Sequence, residues 1–189
     1  QLVRMVKVAS SQNITAAIGD GGNDVSMIQE AHIGLGIIGH EGTAASKAAD
    51  FAFSKFKFLQ RALLVHGQWY YTRLTFLILY SFYKNIVGFM CQFYFAFYSN
   101  FSGQSLYESM FLFLSNTIYT LLPVIIYGIY EQNYPDQLLL MRPNLYHKNR
   151  YNSAMSWQRL SEWIFMGAWH SFVIFFGWIY SFENNGQFG

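Results

Sequence analysis

At 189 residues the chain is long enough for one domain, or for a small domain followed by a few membrane helices. Its formal net charge of +2, with no basic stripe interleaved by aromatics, gives no ground for a nucleic-acid partner, and the single cysteine, Cys91, excludes an intrachain disulfide and a cysteine metal cluster. The apolar share of 53% is only slightly high, whereas the aromatic share of 20% stands out; both averages hide a split, mixed and polar up to about Arg73 and mostly apolar beyond it.

The first residues, Gln1-Leu2-Val3-Arg4, are not a charged-then-apolar leader, and the chain is expected to be a piece of a longer polypeptide. Residues 13–18 form a short β-prone run ending at glycine, which predicts a buried strand. Residues 20–23 carry turn chemistry, and 25–31 predict a short helix with Met27, Ile28 and Ala31 on one side. Residues 33–37, Ile-Gly-Leu-Gly-Ile, predict a second strand whose glycines mark a close approach of neighbouring backbone. An alanine-rich helix over 41–49 and a third strand over 51–53 follow. Strands alternating with short helices make a parallel sheet. Its ligands belong at the carboxyl ends of the strands, where Asp20 falls.

Residues 56–73 are amphipathic and basic, and nothing stops a helix between them and the next apolar run, so they predict a stalk helix that continues into the membrane. Apolar runs at 74–98, 110–130 and 163–182 each approach the roughly 20 residues that span a bilayer core. Lys84 interrupts the first, Pro123 the second and His170 the third; Cys91 and His170 are expected to serve packing. Buried helices of a large soluble protein are the competing reading, but tyrosine and tryptophan at several ends favour membrane. Residues 131–162 hold Arg142, Lys148, Arg150 and Arg159, whereas 99–109 hold no Lys or Arg. The positive-inside rule therefore puts 1–55 and 131–162 in the cytosol, and the loop 99–109 and the tail 183–189 outside. The sequon Asn100-Phe101-Ser102 falls on the outer side, very near the membrane.

The run Gly19-Asp20-Gly21-Gly22-Asn23-Asp24 is the candidate chemical site. Mg²⁺ takes hard oxygen ligands, one or two carboxylates plus phosphate oxygens and waters. Asp20 and Asp24, four residues apart around glycines that let backbone approach a phosphate, suit it, and Asn23 offers a neutral donor to a phosphoryl oxygen. A plain turn rich in Asp, Asn and Gly is the alternative.

Gly19-Asp20-Gly21-Gly22-Asn23-Asp24-Val25 is similar to the signature that closes the phosphorylation domain of P-type ATPases. The following Val25-Ser26-Met27-Ile28-Gln29-Glu30-Ala31-His32-Ile33-Gly34, Phe58-Leu59, Leu64-Val65-His66-Gly67, Phe82-Tyr83-Lys84-Asn85, and Leu122-Pro123 with Tyr146 resemble the type IV branch, the phospholipid flippases. Gly22 stands where alanine is commoner in that family, and the likeness weakens after about Tyr151. The resemblance implies an α/β, Rossmann-like, haloacid-dehalogenase-type end of a phosphorylation domain followed by an α-helical transmembrane bundle. It implies an aspartyl-phosphate cycle on ATP, with Asp20 ligating Mg²⁺, Asp24 supporting that metal and touching phosphate, and Asn23 contacting phosphate. The family's nucleophile motif, Asp-Lys-Thr-Gly-Thr, does not occur here, so this segment holds only the metal half of such a site. A membrane-spanning accessory subunit and residence in the plasma membrane or secretory and endosomal membranes are implied as well.

A lysine at a helix centre costs roughly 2.5–3.5 kcal/mol on insertion scales, so Lys84 is expected to face the bundle interior. Ser81, Asn85, Gly88 and Gln92 form one face beside it, and Asn116, Thr120 and Pro123 form a face on the second run. Pro123 deprives the carbonyl of Tyr119 of its partner. The two faces predict a groove for a lipid headgroup, lined by Lys84, Asn85 and Asn116; a purely structural pairing of Lys84 is the alternative. A P-type cation pump is disfavoured because neither of the first two apolar runs contains Asp or Glu. A catalytically dead membrane anchor or regulatory fragment stays open.

Overall fold

In the computed structural model three short strands lie side by side in chain order and all parallel: β1 Ala16–Gly19, β2 Ile33–Ile37 and β3 Phe51–Phe53. Ala16 pairs with Ile33 and Gly19 with Gly36, and Leu35 pairs with Phe51. Two helices make the crossovers, α2 Val25–Glu30 and α3 Ala44–Ala48 (α1, Leu2–Ala9, precedes the sheet). Both pack on the sheet and on each other, so they share a face. The core they enclose is Ala17, Ile28, Leu35 and Ala45, all nearly inaccessible. The glycines of β2 are what allow it: a Cβ at Gly34 would lie 2.6 Å from Ile28 Cγ2, and one at Gly36 would lie 2.7 Å from the Cα of Ser46. The start of the sheet is fixed by His32, whose Nδ1 accepts the Thr15 N–H at 3.1 Å. Lys7 of α1 donates to the carbonyl of Glu30 at the end of α2.

The structure describes residues 2–9, 14–39, 43–146 and 153–183. Asn13, Glu41, Gly42, Lys148, Arg150 and the tail beyond Glu183, all used in the sequence reading, lie outside them. The chain divides into two compact units, Gln1–His66 and Gly67–Gly189. The strands predicted over 33–37 and 51–53 stand where expected, and the first strand runs to Gly19.

From Phe58 the chain is helical to Tyr98, as α4 Phe58–Arg61, a π-helical turn Ala62–His66, and α5 Gly67–Tyr98. The one long helix expected here is thus made of pieces of different helical type. A second long helical run comprises α6 Ser109–Leu114, a π-helical turn Ser115–Tyr119 and α7 Leu121–Tyr130. The short α8, Asp136–Met141, and the long α9, Trp157–Glu183, complete the second unit. Phe58–Tyr98, Ser109–Tyr130 and Trp157–Phe182 are each long and apolar enough to cross a membrane.

Side chains set how these spans run. Phe76 and Tyr83 both meet Trp163 edge-on, Tyr83 meets His170, and Tyr94 meets Phe172, Phe175 and Phe176. Numbers rise together along the two helices, so α5 and α9 are parallel. Gly167 of α9 lies tight against α5, where a Cβ would lie 3.2 Å from Ile86 Cγ2. Against α7 the sense reverses: Phe76 stacks on Tyr127 at 4.0 Å, while Lys84 meets Thr120. Up, down, up is the course three consecutive spans must take.

Candidate functional site

Asp20 follows the last residue of β1 directly, at the carboxyl edge of the sheet, and Asp24 is the residue immediately before α2. A tight turn between them, closed by the Asp24 N–H donating to Gly21 O at 3.3 Å, folds Asp24 back over the strand end. There Asp24 Oδ2 accepts the backbone N–H of Asp20 at 3.3 Å. The fold-back requires Gly19, since a Cβ on it would lie 2.3 Å from Asp24 Cβ. Gly22 is different: a Cβ there would touch only Ala44 Cβ, at 4.0 Å, so the alanine common in the resembling family would fit. Gly39, just beyond β2, lies against Asp20. Asp20 and Asn23 are exposed and Asp24 is half-buried.

The sequence-predicted trio Asp20, Asn23 and Asp24 therefore shares one turn. Among the described residues no cluster of three or more His, Cys, Asp or Glu forms a metal cage. Two carboxylates at an open strand end fit a cation such as Mg²⁺, which keeps waters and phosphate oxygens in its remaining positions.

In the second unit Lys84 Nζ donates to Asn116 Oδ1 at 3.4 Å and to Thr120 Oγ1 at 3.3 Å. Thr120 Oγ1 in turn donates to the carbonyl of Asn116 at 3.2 Å. Asn116 lies in the π-helical turn before Pro123 and Thr120 caps it, its N–H reaching back to Ser115 O at 3.0 Å. The expected loss of the hydrogen bond to Tyr119 O thus coincides with a wider turn, which rotates Asn116 and Thr120 relative to the residues after the proline.

Of the stripe predicted beside Lys84, the structure brings only part to that place. Asn85 is exposed and does not join the Lys84 bonds. Ser81 Oγ donates to Leu77 O within its own helix at 2.8 Å. Gln92 holds the connector after α5, accepting the Leu106 N–H at 2.8 Å and donating to Gln104 O at 3.2 Å. Tyr107 in the same connector donates to Gly88 O at 3.5 Å. Its phenol is pushed up to about 12, mainly by burial and then by Cys91 beside it.

Two further contacts were not legible as function. Tyr83 OH and His170 Nδ1 are 2.9 Å apart and partly buried. The adjacent Cys91 is buried, with its thiol 3.7 Å from Ser171 O, which agrees with a packing role. At the start of α5, Arg73 forks onto the carbonyl of Glu131 and Trp69 donates to Tyr134 O. In the sequence Arg73 stands only as the end of the amphipathic, basic stretch 56–73; its spacing of one turn from Trp69 was the available signal.

A three-stranded parallel α/β unit joined in sequence to three spanning helices, one with an internal lysine, is the signature of a segment of an integral membrane protein. The family model described as "Phospholipid-translocating P-type ATPase C-terminal" matches residues 46–188, and the chain belongs to that family. It is 43% identical over 192 residues to the phospholipid-transporting ATPase IH of Mus musculus, covering 99% of this chain and 16% of that protein. It is 47% identical over 191 residues to the probable phospholipid-transporting ATPase 5 of Arabidopsis thaliana, covering 98% and 16%. To the phospholipid-transporting ATPase ID of Homo sapiens it is 44% identical over 176 residues, covering 93% and 14%. The chain thus spans about one-sixth of the length of the relatives it matches.

Proposed function

We propose that this chain is the end of the phosphorylation domain and the first part of the following membrane bundle of an ATP-driven phospholipid translocase. The observation that carries the reading is Lys84, an ammonium within an apolar spanning helix, bonded to Asn116 and Thr120 at a proline-broken turn of the next span. Such a group is costly in lipid unless it has work or partners, and it suits the phosphate or carboxylate of a headgroup whose tails stay in the bilayer. Lys84, Asn85 and Asn116 are read as the lipid pathway, Asn85 through its exposure rather than through a bond to Lys84.

The other half of the proposal is the Asp20 turn. In the complete protein Asp20 and Asp24 would hold Mg²⁺ and Asn23 would touch phosphate, against an aspartate nucleophile supplied elsewhere in the chain. The metal would neutralise charge on the transferring phosphoryl group of ATP. The parallel sheet with Asp20 at its carboxyl edge supports a Rossmann-like, haloacid-dehalogenase-type domain over 1–55. The remaining organisation is a stalk over 56–73, spans at 74–98, 110–130 and 163–182, an exoplasmic loop 99–109, a cytosolic loop 131–162 and an exoplasmic tail 183–189. The sheet-bearing part would be cytosolic, lipid would move toward the cytosolic leaflet, and a membrane-spanning accessory subunit would be bound. The membrane would be the plasma membrane or one of the secretory and endosomal membranes. The names of the relatives favour lipid over cation transport and over an inactive anchor.

The test is ATP hydrolysis by the complete parent protein in detergent–phospholipid micelles, across serine, ethanolamine and choline headgroups. Stimulation by at least one of them is expected; hydrolysis indifferent to all three and stimulated by cations instead would overturn the reading.

A further inference from the structure

We propose that Arg73 is a positioning residue for the Lys84 site, acting through the far end of α7. Arg73 Nε and Nη2 donate to the carbonyl of Glu131 at 3.0 and 2.6 Å, and Nη2 also lies 3.5 Å from Ile129 O. These carbonyls close α7, where a helix leaves its last acceptors without internal partners. A guanidinium is the side chain built to fork onto such a pair, and positive charge suits that end of the helix dipole. Trp69, one turn earlier on α5, donates to Tyr134 O at 3.0 Å beyond the end of α7, and its ring lies 5.9 Å from the guanidinium. Phe76, stacked on Tyr127, continues the contact.

The second anchor is Lys84, about three helical turns further along α5. Its partner Thr120 lies about three turns back along the antiparallel chain from Glu131. The two cations thus tie one face of α5 to both ends of the segment that contains Pro123. Between the ties lies Pro123, and the Lys84 tie itself falls on the π-helical turn and its C-terminal cap; both are places where a helix most easily bends. With Arg73 in place, α7 is held at its end and cannot swing about the proline. Without the fork, the end of Leu121–Tyr130 is left to the Phe76–Tyr127 stack and the Trp69–Tyr134 bond, and Asn116 and Thr120 lose their register with Lys84.

The consequence for lipid use rests on the proposed function; the register itself does not. Two readouts separate them in the complete parent protein. In phosphatidylserine, phosphatidylethanolamine or phosphatidylcholine micelles, Arg73→Gln should raise the half-saturating lipid concentration about tenfold with the maximal rate kept within about twofold, the size of one lost charge-assisted bond. Arg73→Lys, which keeps the charge and loses the fork, should fall between wild type and Arg73→Gln, and it serves if Arg73→Gln does not fold. The second readout is oxidative cross-linking of Phe76→Cys with Tyr127→Cys on a background cleared of other reactive cysteines; either Arg73 substitution should lower its yield severalfold. Unchanged half-saturation in both Arg73 variants together with unchanged cross-linking overturns the proposal. If the unsubstituted parent shows no lipid stimulation, the translocase reading fails, and the cross-link alone then decides whether Arg73 holds the register.

Discussion

Gly19→Ala puts the geometry of the aspartate turn to a quantitative test. The new methyl would lie 2.3 Å from Asp24 Cβ and 2.6 Å from its Oδ2, whereas ordinary contact begins at 3.4 Å. Asp24 must therefore retreat by about 1 Å, or the strand end must move by as much. Overpacking of this kind costs about 1–3 kcal/mol of stability. A misplacement of about 1 Å at a reacting centre costs on the order of 100-fold in rate. Gly22→Ala is the control, because its methyl meets only Ala44 at 4.0 Å. It should be neutral or stabilise by up to about 1 kcal/mol through the unfolded chain. Both variants are compared in the complete parent protein by rapid-quench measurement of phosphoenzyme formation and decay, alongside thermal unfolding. Phosphoenzyme kinetics of Gly19→Ala equal to those of Gly22→Ala would refute the claim that Asp24 works from its place above Gly19.

Asp20→Asn should remove phosphoenzyme formation or turnover and shift any residual activity to higher Mg²⁺, read from a Mg²⁺ titration of the same assay. His170→Phe should cost about 1–3 kcal/mol in detergent thermal unfolding, because it leaves the Tyr83 hydroxyl partly buried without its partner. Adding Tyr83→Phe should recover most of that loss, since removing both polar groups is nearly neutral. Additive losses would mean that the 2.9 Å contact contributes nothing to stability.

How much of this was legible beforehand depends on what each feature is made of. The strands at 33–37 and 51–53 are short apolar runs between turn residues, and their glycines foretold the close helices, so pattern alone sufficed. The three spans were legible because hydropathy over about 20 residues is a bulk property. The extra turns of α9 before residue 163 were not, because Gln158, Arg159 and Glu162 are good helix formers without being apolar. Pro123 announced a break, but its outcome as a π-helical turn depends on which carbonyl the displaced N–H groups find. The helical stripe of Ser81, Asn85, Gly88 and Gln92 was read as one face of one groove. It divides because the connector folds back and takes Gln92 and Gly88, a tertiary event that spacing along one helix does not encode. Arg73 was hidden for the same reason, as its partners are backbone carbonyls distant in sequence and indistinguishable by residue type.

The central claim is that the ammonium of Lys84 serves a lipid headgroup rather than packing alone. Lys84→Ala in the complete parent protein, assayed for dephosphorylation of the phosphoenzyme against phospholipid concentration, tests it most directly. The account predicts a half-saturating concentration raised at least tenfold, with phosphoenzyme still formed from ATP. An unchanged lipid dependence, with only a lower unfolding temperature, would contradict it and leave Lys84 as a structural partner of Asn116 and Thr120.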